Sequence, residues 1–180
     1  MRQYLLIMCI VPLLILSQCS KDNREMLMEE IKIAENASLN LEINKLRDSL
    51  KDAKTDFDRA VIYAKIANIN AEKGNVTEAI KTSQESIKYQ PNQYLSRYLL
   101  GKAYLQAGRY TDAETELIVS IELKNTFALS HFELGNVYYK IRQFAKAEKE
   151  FKSALGLDNT LFMAHNNLGA ALADQGRREE

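Results

Sequence analysis

The chain has 180 residues, which is enough for one domain and a short leader. Its 24 basic and 24 acidic residues balance, and the basic residues are scattered, so the charge argues against nucleic-acid binding. The two cysteines, Cys9 and Cys19, lie close to the amino terminus. The rest of the chain therefore cannot form a disulfide, a cysteine-based zinc site or a cysteine nucleophile. Few glycines and prolines favour an all-helical chain.

The amino terminus has the pattern of a secretory signal. A short basic start, Met1-Arg2-Gln3, is followed by an apolar run from Tyr4 to Leu16. Such a run is too short to span a bilayer, which needs about 20 residues, but it suits the apolar core of a signal peptide. The sequence therefore predicts a signal peptide over residues 1–18.

The residues after this run resemble a bacterial lipobox. Leu16-Ser17-Gln18-Cys19 ends in the required cysteine, although Gln18 replaces the usual small residue. The resemblance implies a lipid on Cys19 and cleavage before it, which would leave the mature chain near a charge of −1. The expected location is then the cell envelope, on the inner or the outer membrane, periplasmic or surface-exposed. Ordinary cleavage near Ser20 and an uncleaved membrane anchor remain alternatives.

Residues 19–24 are predicted to be a polar tether, and residues 25–59 a helical extension. A break is expected at Asn36–Asn40, because Asn and Ser interrupt helices. An apolar stripe at helical spacing then runs from Leu41 to Ala60. The favoured interpretation is a helix that caps the repeats. One alternative is a coiled-coil seam within 25–58 that forms a homodimer, and another is a mobile arm lying in the chain's own groove.

In the rest of the chain the same residue types recur at a constant spacing in the sequence. This spacing equals the number of residues from Gly101 to Gly135. Leu134-Gly135, Tyr138, Ala147 and Phe151 recur one interval earlier as Leu100-Gly101, Tyr104, Ala113 and Leu117. A weaker version contains Ala67, Ala79 and Pro91, and Leu168-Gly169 opens a partial one. A fixed period of this length indicates stacked identical helical units, which usually present a binding surface.

These residues resemble the tetratricopeptide repeat, in which small residues stand at positions 8 and 20 and large residues at 4, 11 and 24. The resemblance predicts an all-α fold, an antiparallel helix-hairpin solenoid wound as a right-handed superhelix. The repeats run over 60–93, 94–127 and 128–161, with a partial repeat or capping helix at 162–180. Gly74 and Gly108 suit the turn between the two helices of a repeat, because glycine tolerates a positive φ. Arg142 departs from that pattern.

The resemblance places a partner-binding groove on the concave side, along the first helix of each repeat. The occupant would be a protein or a peptide, with an amphipathic helix or an extended apolar segment favoured. The groove residues that follow from the repeat positions are Asn68, Leu95, Tyr98, Leu99, Lys102, Leu105, Phe132, Asn136, Tyr139 and Asn167. The competing interpretation is that Tyr98 and Phe132 mainly pack against neighbouring helices.

One peptide-binding mode of the family, the carboxylate clamp, matches this sequence in part. Co-chaperone repeats clamp a peptide carboxylate with a lysine and two asparagines, and Asn136 and Asn167 occupy the two asparagine positions. Phe132 stands where the lysine is needed, so the clamp is incomplete.

No catalytic constellation is recognisable, and neither an enzyme activity, a cofactor nor a metal site is predicted. His131 and His165 lie exactly one repeat apart, at repeat position 4, where the family places a bulky packing residue. We therefore interpret both as structural. The predicted function is a membrane-anchored interaction scaffold of the bacterial envelope. The alternatives are an accessory subunit of an envelope assembly machine, by analogy alone, and a structural protein that self-associates through 25–58.

Overall fold

The computed structural model describes residues 21–176, and this part of the chain is all-α, as predicted. The chain divides into two compact units, one ending at Glu42 and the other comprising Ile43–Glu180. The predicted signal peptide, Cys9 and the predicted lipidation site Cys19 lie outside the described residues. The helices are α1 (Lys21–Asp52), α2 (Asp56–Glu72), α3 (Val76–Tyr89), α4 (Tyr94–Gln106), α5 (Tyr110–Leu123), α6 (Ala128–Lys140), α7 (Phe144–Leu157) and α8 (Phe162–Asp174).

The extension differs from the prediction at three points. Helix α1 begins at Lys21, so residues 21–24 of the expected tether are helical. It also continues without a break through Asn36–Asn40, since a single helix spans them. The apolar stripe is instead divided between α1 and α2, because residues 53–55 are not helical. Ile43, near the start of the stripe, is only 6% exposed, whereas Leu41 and Phe57 are exposed.

The chain folds into a new helix at Asp56 because Thr55 caps it. The Thr55 hydroxyl accepts a hydrogen bond from the Asp58 backbone N–H at 3.0 Å, and the Asp58 carboxylate accepts one from the Thr55 N–H at 3.1 Å. This reciprocal arrangement satisfies two N–H groups at the helix start. Helix α2 therefore begins before the predicted repeat boundary at Ala60.

Helices α2 to α8 pack as antiparallel pairs joined by tight turns, with the first helices of successive pairs also in contact. This is the predicted helix-hairpin solenoid. The turns at Gly74 and Gly108 have φ values of 74° and 73°, as their positions predict. Arg142 occupies the equivalent position and adopts φ 63°, a left-handed conformation that is unfavourable for a residue with a Cβ.

Small and large residues face each other where the two helices of a repeat cross. A Cβ built on Gly101 would lie 2.6 Å from Leu117 Cγ, and one built on Gly135 would lie 2.6 Å from Phe151 Cε1. The equivalent pair in the first repeat is Ala67 and Ser83, both buried. A larger residue at position 8 therefore accompanies a smaller one at position 24, which keeps the volume of the crossing nearly constant.

Successive repeats are joined by buried hydroxyl pairs. Ser120 donates its proton to the carbonyl oxygen of Tyr94 at 2.9 Å, so Ser130 is the donor in the 2.8 Å contact between the two serines. Ser86 and Ser96 form the same contact at 2.7 Å one junction earlier. The last junction has Ala154 and Ala164 at these positions, both fully buried. At each junction serine therefore pairs with serine, or alanine with alanine. Neither combination leaves a buried hydroxyl of these two residues without a partner.

Position 4 carries a side chain that pairs with a glutamate in two repeats. Arg97 Nη1 lies 2.8 Å from Glu116 Oε2, and His131 Nδ1 lies 2.7 Å from Glu150 Oε2, each pair bridging the two helices of its repeat. His131 is therefore structural, as interpreted, but it contributes a polar contact rather than bulk alone. His165 is exposed, and its Nε2 lies 3.1 Å from the Asn159 carbonyl oxygen.

Clustered metal ligands and a membrane-spanning helix are both absent from residues 21–176. In this range, no group of three or more His, Cys, Asp or Glu side chains is placed to hold a metal ion. None of the described helices combines the length and the apolar character needed to cross a membrane.

Candidate functional site

The first helices of the repeats line the inner side of the solenoid. Contacts run from α2 to α4, from α4 to α6 and from α6 to α8, so these four helices form one continuous surface. The second helices pack behind them, each against its own first helix. We call the surface formed by α4, α6 and α8 the inner groove.

Three of the predicted groove residues are buried. Tyr98 is 6% exposed and packs edge-on against Phe127, with ring centroids 5.2 Å apart. Phe132 is 7% exposed and lies 6.0 Å from the ring of Phe151. Leu99 belongs to the same core. These side chains lie beneath the groove surface and offer little area to a ligand. For Tyr98 and Phe132 this agrees with the competing interpretation, that they mainly pack against neighbouring helices.

The other predicted residues are half-buried and differ in where they lie. Leu105, Asn136, Tyr139 and Asn167 come together around one pocket of about 530 Å³. Leu95 and Lys102 belong to α4 but are not among the residues lining this pocket. Asn68 lies on α2, where its amide donates to Glu72 Oε1 at 2.7 Å. The structure thus concentrates four of the ten predicted residues at one place.

The pocket combines apolar walls with polar groups from three repeats. Its aromatic walls are Tyr110 and Tyr139, and two charged or polar side chains, Gln106 and Lys140, stand exposed at its edge. The complete lining is Leu105, Gln106, Gly108, Tyr110, Asn136, Tyr139, Lys140, Asn167 and Ala170. Such a mixture of apolar surface and a few placed polar groups is typical of ligand sites.

A chain of hydrogen bonds fixes the polar floor. Asn167 Nδ2 donates to Asn136 Oδ1 at 2.7 Å, and Asn136 Nδ2 donates to Glu133 Oε2 at 3.0 Å. The two asparagines that fit the carboxylate clamp are therefore bonded to each other. Each amide still has a second N–H, because an NH₂ group carries two donors. These donors can bind carbonyl or carboxylate oxygens of a ligand.

Glu133 gives this floor a half-buried acidic group. Burial raises the pKa of the Glu133 carboxyl, while the hydrogen bond from Asn136 and the charge of Lys102 oppose that rise. Burial also raises the pKa of the Tyr98 hydroxyl, and the Glu133 carboxylate adds to the effect. The groove therefore places an acidic group beneath its amides and one lysine nearby.

Tyr139 closes the far side of the pocket. Its hydroxyl donates to Asp174 Oδ2 at 2.7 Å, and this bond raises the pKa of the tyrosine. Its ring lies 5.5 Å from that of Phe144. Contacts on both sides hold the ring in place, so this wall of the pocket is formed before any ligand arrives.

The prediction missed the part of the pocket that comes from a turn. Gly108 and Tyr110 lie at the junction of α4 and α5, whereas the repeat positions used for the prediction belong to first helices only. The repeated aromatic at positions 110 and 144 is a sequence signal that could have indicated this wall.

Comparison with protein families decides the identity of these repeats. A model described as "Tetratricopeptide repeat" matches residues 64–118 and 132–180, and one described as "TPR repeat" matches residues 101–141. The first of these models alone covers more than half of the chain. The chain belongs to the tetratricopeptide repeat family. No curated protein matches it.

Solved tetratricopeptide repeat structures show the same fold. The first such domain of Spaghetti (RPAP3), bound to an HSP90 peptide, matches with TM-score 0.64 and 18% identity, covering 68% of this chain and 97% of that one. MamA from Desulfovibrio magneticus RS-1 matches with TM-score 0.68 and 19% identity, covering 86% of each chain. The second domain of human RPAP3, in complex with an HSP70 peptide, matches with TM-score 0.58 and 19% identity, over 63% and 94%.

Repeats of this family serve mainly as protein-interaction modules and not as catalysts. The family and its structural neighbours therefore support a protein–protein interaction scaffold.

Proposed function

We propose that the inner groove binds a segment of another protein, with the pocket at Asn136 and Asn167 as its centre. The observation that carries the proposal is that three repeats contribute to one pocket of about 530 Å³ with free amide donors and apolar walls. A peptide backbone offers carbonyl oxygens to such amides, and its side chains can contact the leucine and tyrosine walls. Two solved neighbours are described as bound to HSP90 and HSP70 peptides, which supports a peptide as occupant.

A charge change at the mouth of the pocket tests this proposal. Gln106 and Lys140 line the pocket and are exposed, so the variant Gln106→Arg/Lys140→Glu alters the mouth without disturbing the core. The control Thr115→Arg/Lys149→Glu makes the same kinds of change at exposed positions on second helices. Tagged chains would be purified with their bound proteins. Loss of the same partners in the pocket variant alone supports the groove, and identical recovery in all chains contradicts it.

We further propose that a lipid on Cys19 attaches this scaffold to a membrane of the bacterial envelope. Support comes from the sequence, in which a basic start and the apolar run from Tyr4 precede Leu16-Ser17-Gln18-Cys19. The anchor would restrict the groove to partners at one membrane surface. Mass spectrometry of the mature amino terminus tests this lipid attachment directly. A diacylated Cys19 is expected, and an intact Met1 would overturn the proposal.

A further inference from the structure

Glu133 determines how the two asparagine amides of the pocket are oriented. A carboxylate can only accept hydrogen bonds, so Asn136 turns its NH₂ group towards Glu133 Oε2, at 3.0 Å. The Asn136 oxygen then faces Asn167, whose Nδ2 donates to it at 2.7 Å. The direction of both hydrogen bonds therefore follows from the acid at one end of the row. Glu133 is not among the residues lining the pocket, so it acts on a ligand through the asparagines.

The oriented amides leave a fixed set of atoms for a ligand. Asn136 keeps one N–H, because its other N–H and its oxygen are engaged. Asn167 keeps one N–H and its oxygen, which accepts no hydrogen bond within residues 21–176. Both side chains line the pocket. The two amides therefore offer two N–H donors and one neutral acceptor.

This set of atoms matches the main chain of one extended residue. Such a residue presents its N–H and its C=O on the same side, as in paired antiparallel strands. Its carbonyl oxygen can accept from the Asn136 and Asn167 amides, while its N–H donates to the Asn167 oxygen. The walls formed by Leu105, Tyr110 and Tyr139 remain for the side chains of the ligand. One internal residue of a partner therefore uses every atom that the amides offer.

A terminal carboxylate fits the same donors less well. Its oxygen would accept from Asn136 Nδ2, the nitrogen that already donates to Glu133 Oε2. One NH₂ group would then bridge two carboxylates, and like charges this close repel each other. Glu133 is half-buried, so water screens its charge less than that of a surface acid. A peptide carbonyl carries no net charge and avoids this repulsion.

The other charges near the pocket do not reverse this preference. The charge of Lys102 acts on Glu133, but Lys102 lies on α4 and does not line the pocket. Lys140 at the pocket edge and Asp174 on α8 are both exposed and opposite in sign. Phe132 stands where a carboxylate clamp needs its lysine, and it is buried. A carboxylate would therefore find no cation beside the asparagines to offset Glu133.

We propose that the pocket binds an internal, extended stretch of a partner chain and discriminates against a free carboxyl terminus, with Glu133 as the residue that makes this distinction. The inference rests on the proposed function, because it names the part of a partner that the inner groove binds. Glu133 is a positioning residue. It orients Asn136 and Asn167, and its charge repels a ligand carboxylate.

Random heptapeptides displayed in two formats supply the probes. In one format a linker follows the peptide, so only internal residues are available, and in the other the peptide ends in a free carboxylate. Both libraries would be selected on the full chain in phospholipid nanodiscs. Counter-selection with Gln106→Arg/Lys140→Glu keeps the peptides that need the pocket. We expect such peptides from the linked format.

Synthetic peptides then measure the discrimination. Each selected peptide would be made with a carboxyl-terminal amide and shortened from that end to the shortest form that binds. This form would be compared with its free acid by fluorescence anisotropy. The amide should bind the wild-type chain about tenfold more tightly than the acid.

Glu133→Gln is the decisive variant. It keeps the shape of the side chain and still accepts from Asn136, so circular dichroism should show an intact fold. Without the negative charge, the amide and the acid should bind with nearly equal affinity. Glu122→Gln removes a charge at an exposed position on α5 and should leave the difference unchanged. A purely structural role of Glu133 would alter both affinities together and not their ratio.

The outcomes separate this inference from the proposed function. If neither library yields a peptide that depends on the pocket, binding in the inner groove is wrong and this inference falls with it. Pocket-dependent peptides that bind equally well or better as free acids would overturn the discrimination alone and leave the groove as a binding site. A preference for the amide that persists in Glu133→Gln would overturn the role of Glu133.

Discussion

Gly135 lies directly against the ring of Phe151, with no room between them for a Cβ. An added methyl would stand 2.6 Å from Cε1 and 2.7 Å from Cδ1 of the ring. The ring is fully buried and cannot move outward. The close approach of α6 and α7 therefore depends on Gly135 having no side chain and on the ring of Phe151 filling the space beside it.

The first prediction is that Gly135→Ala destabilises the chain. The methyl group must displace a buried ring, and overpacking of this kind costs about 1–3 kcal/mol, which exceeds the gain of up to about 1 kcal/mol in helix propensity. Urea unfolding followed by circular dichroism measures the change. Gly169→Ala is the matched control, since its methyl meets nothing within 4 Å. The control should be neutral or slightly stabilising, and equal losses in both variants would contradict the crossing argument.

The second prediction contrasts two buried serines on α3. The Ser83 hydroxyl finds no hydrogen-bond partner among the described residues, whereas Ser86 donates to the Ala60 carbonyl oxygen at 2.6 Å. Ser83→Ala should raise the free energy of unfolding by about 1 kcal/mol, because an unpaired buried hydroxyl is removed. Ser86→Ala should lower it by about 1–3 kcal/mol. Thermal and urea unfolding of both variants give the comparison. A loss on Ser83→Ala would show that this hydroxyl has a partner.

The fold could be predicted because the constant repeat interval directly reflects the helix crossings. Gly101, Ala113, Gly135 and Ala147 are small at fixed spacing, and all four are buried where helices meet. An arrangement of the helices without these crossings would leave the repeated small residues exposed to solvent. The division of the extension at residues 53–55 was not predicted, since its apolar stripe continues across the break and the decisive Thr55–Asp58 cap depends on only two residues.

The inner groove could be predicted only in part. Repeat positions indicate which helix face turns inward, and Asn136, Tyr139 and Asn167, chosen from those positions, lie together around one pocket. They do not show how deeply a side chain is covered by its neighbours. Tyr98 packs against Phe127 and Phe132 against Phe151, and such contacts depend on pairs of residues rather than on single positions.

The third prediction concerns the strained turn at Arg142. Its φ of 63° falls in the region that glycine occupies at Gly74 and Gly108. Arg142→Gly should raise the free energy of unfolding by about 1 kcal/mol, because the left-handed conformation costs a residue with a Cβ about 1–2 kcal/mol. The exposed contact of its guanidinium with the Phe144 ring, 5.9 Å away, offsets little of this.

Gly108→Ala serves as the reverse experiment for this turn. It places a Cβ at φ 73°, in open space, so any loss reports the backbone alone. It should destabilise by about 1 kcal/mol. Urea midpoints for both variants give the test, and a stability loss on Arg142→Gly would show that the arginine side chain outweighs the backbone strain.

The fourth prediction is a pH dependence centred on Glu133. Because burial raises the pKa of this carboxyl, the folded chain holds its proton to higher pH than the unfolded chain does. The stabilising effect is present below the ordinary glutamate pKa of about 4.3, and it is lost as pH rises through the folded value. At pH 7 the carboxylate therefore lowers stability. Glu133→Gln stays neutral and still accepts the hydrogen bond from Asn136, so it should melt higher than wild type at pH 7.

Melting curves at pH 3 and pH 7 measure this effect. The advantage of Glu133→Gln should shrink towards zero at pH 3, where the wild-type side chain is also neutral. Glu122→Gln removes one negative charge at an exposed position on α5 and controls for the change in net charge. If Glu133→Gln melts no higher than wild type at pH 7, then attraction to Lys102 and the bond from Asn136 outweigh burial. The floor of the groove would in that case be a site that favours the carboxylate.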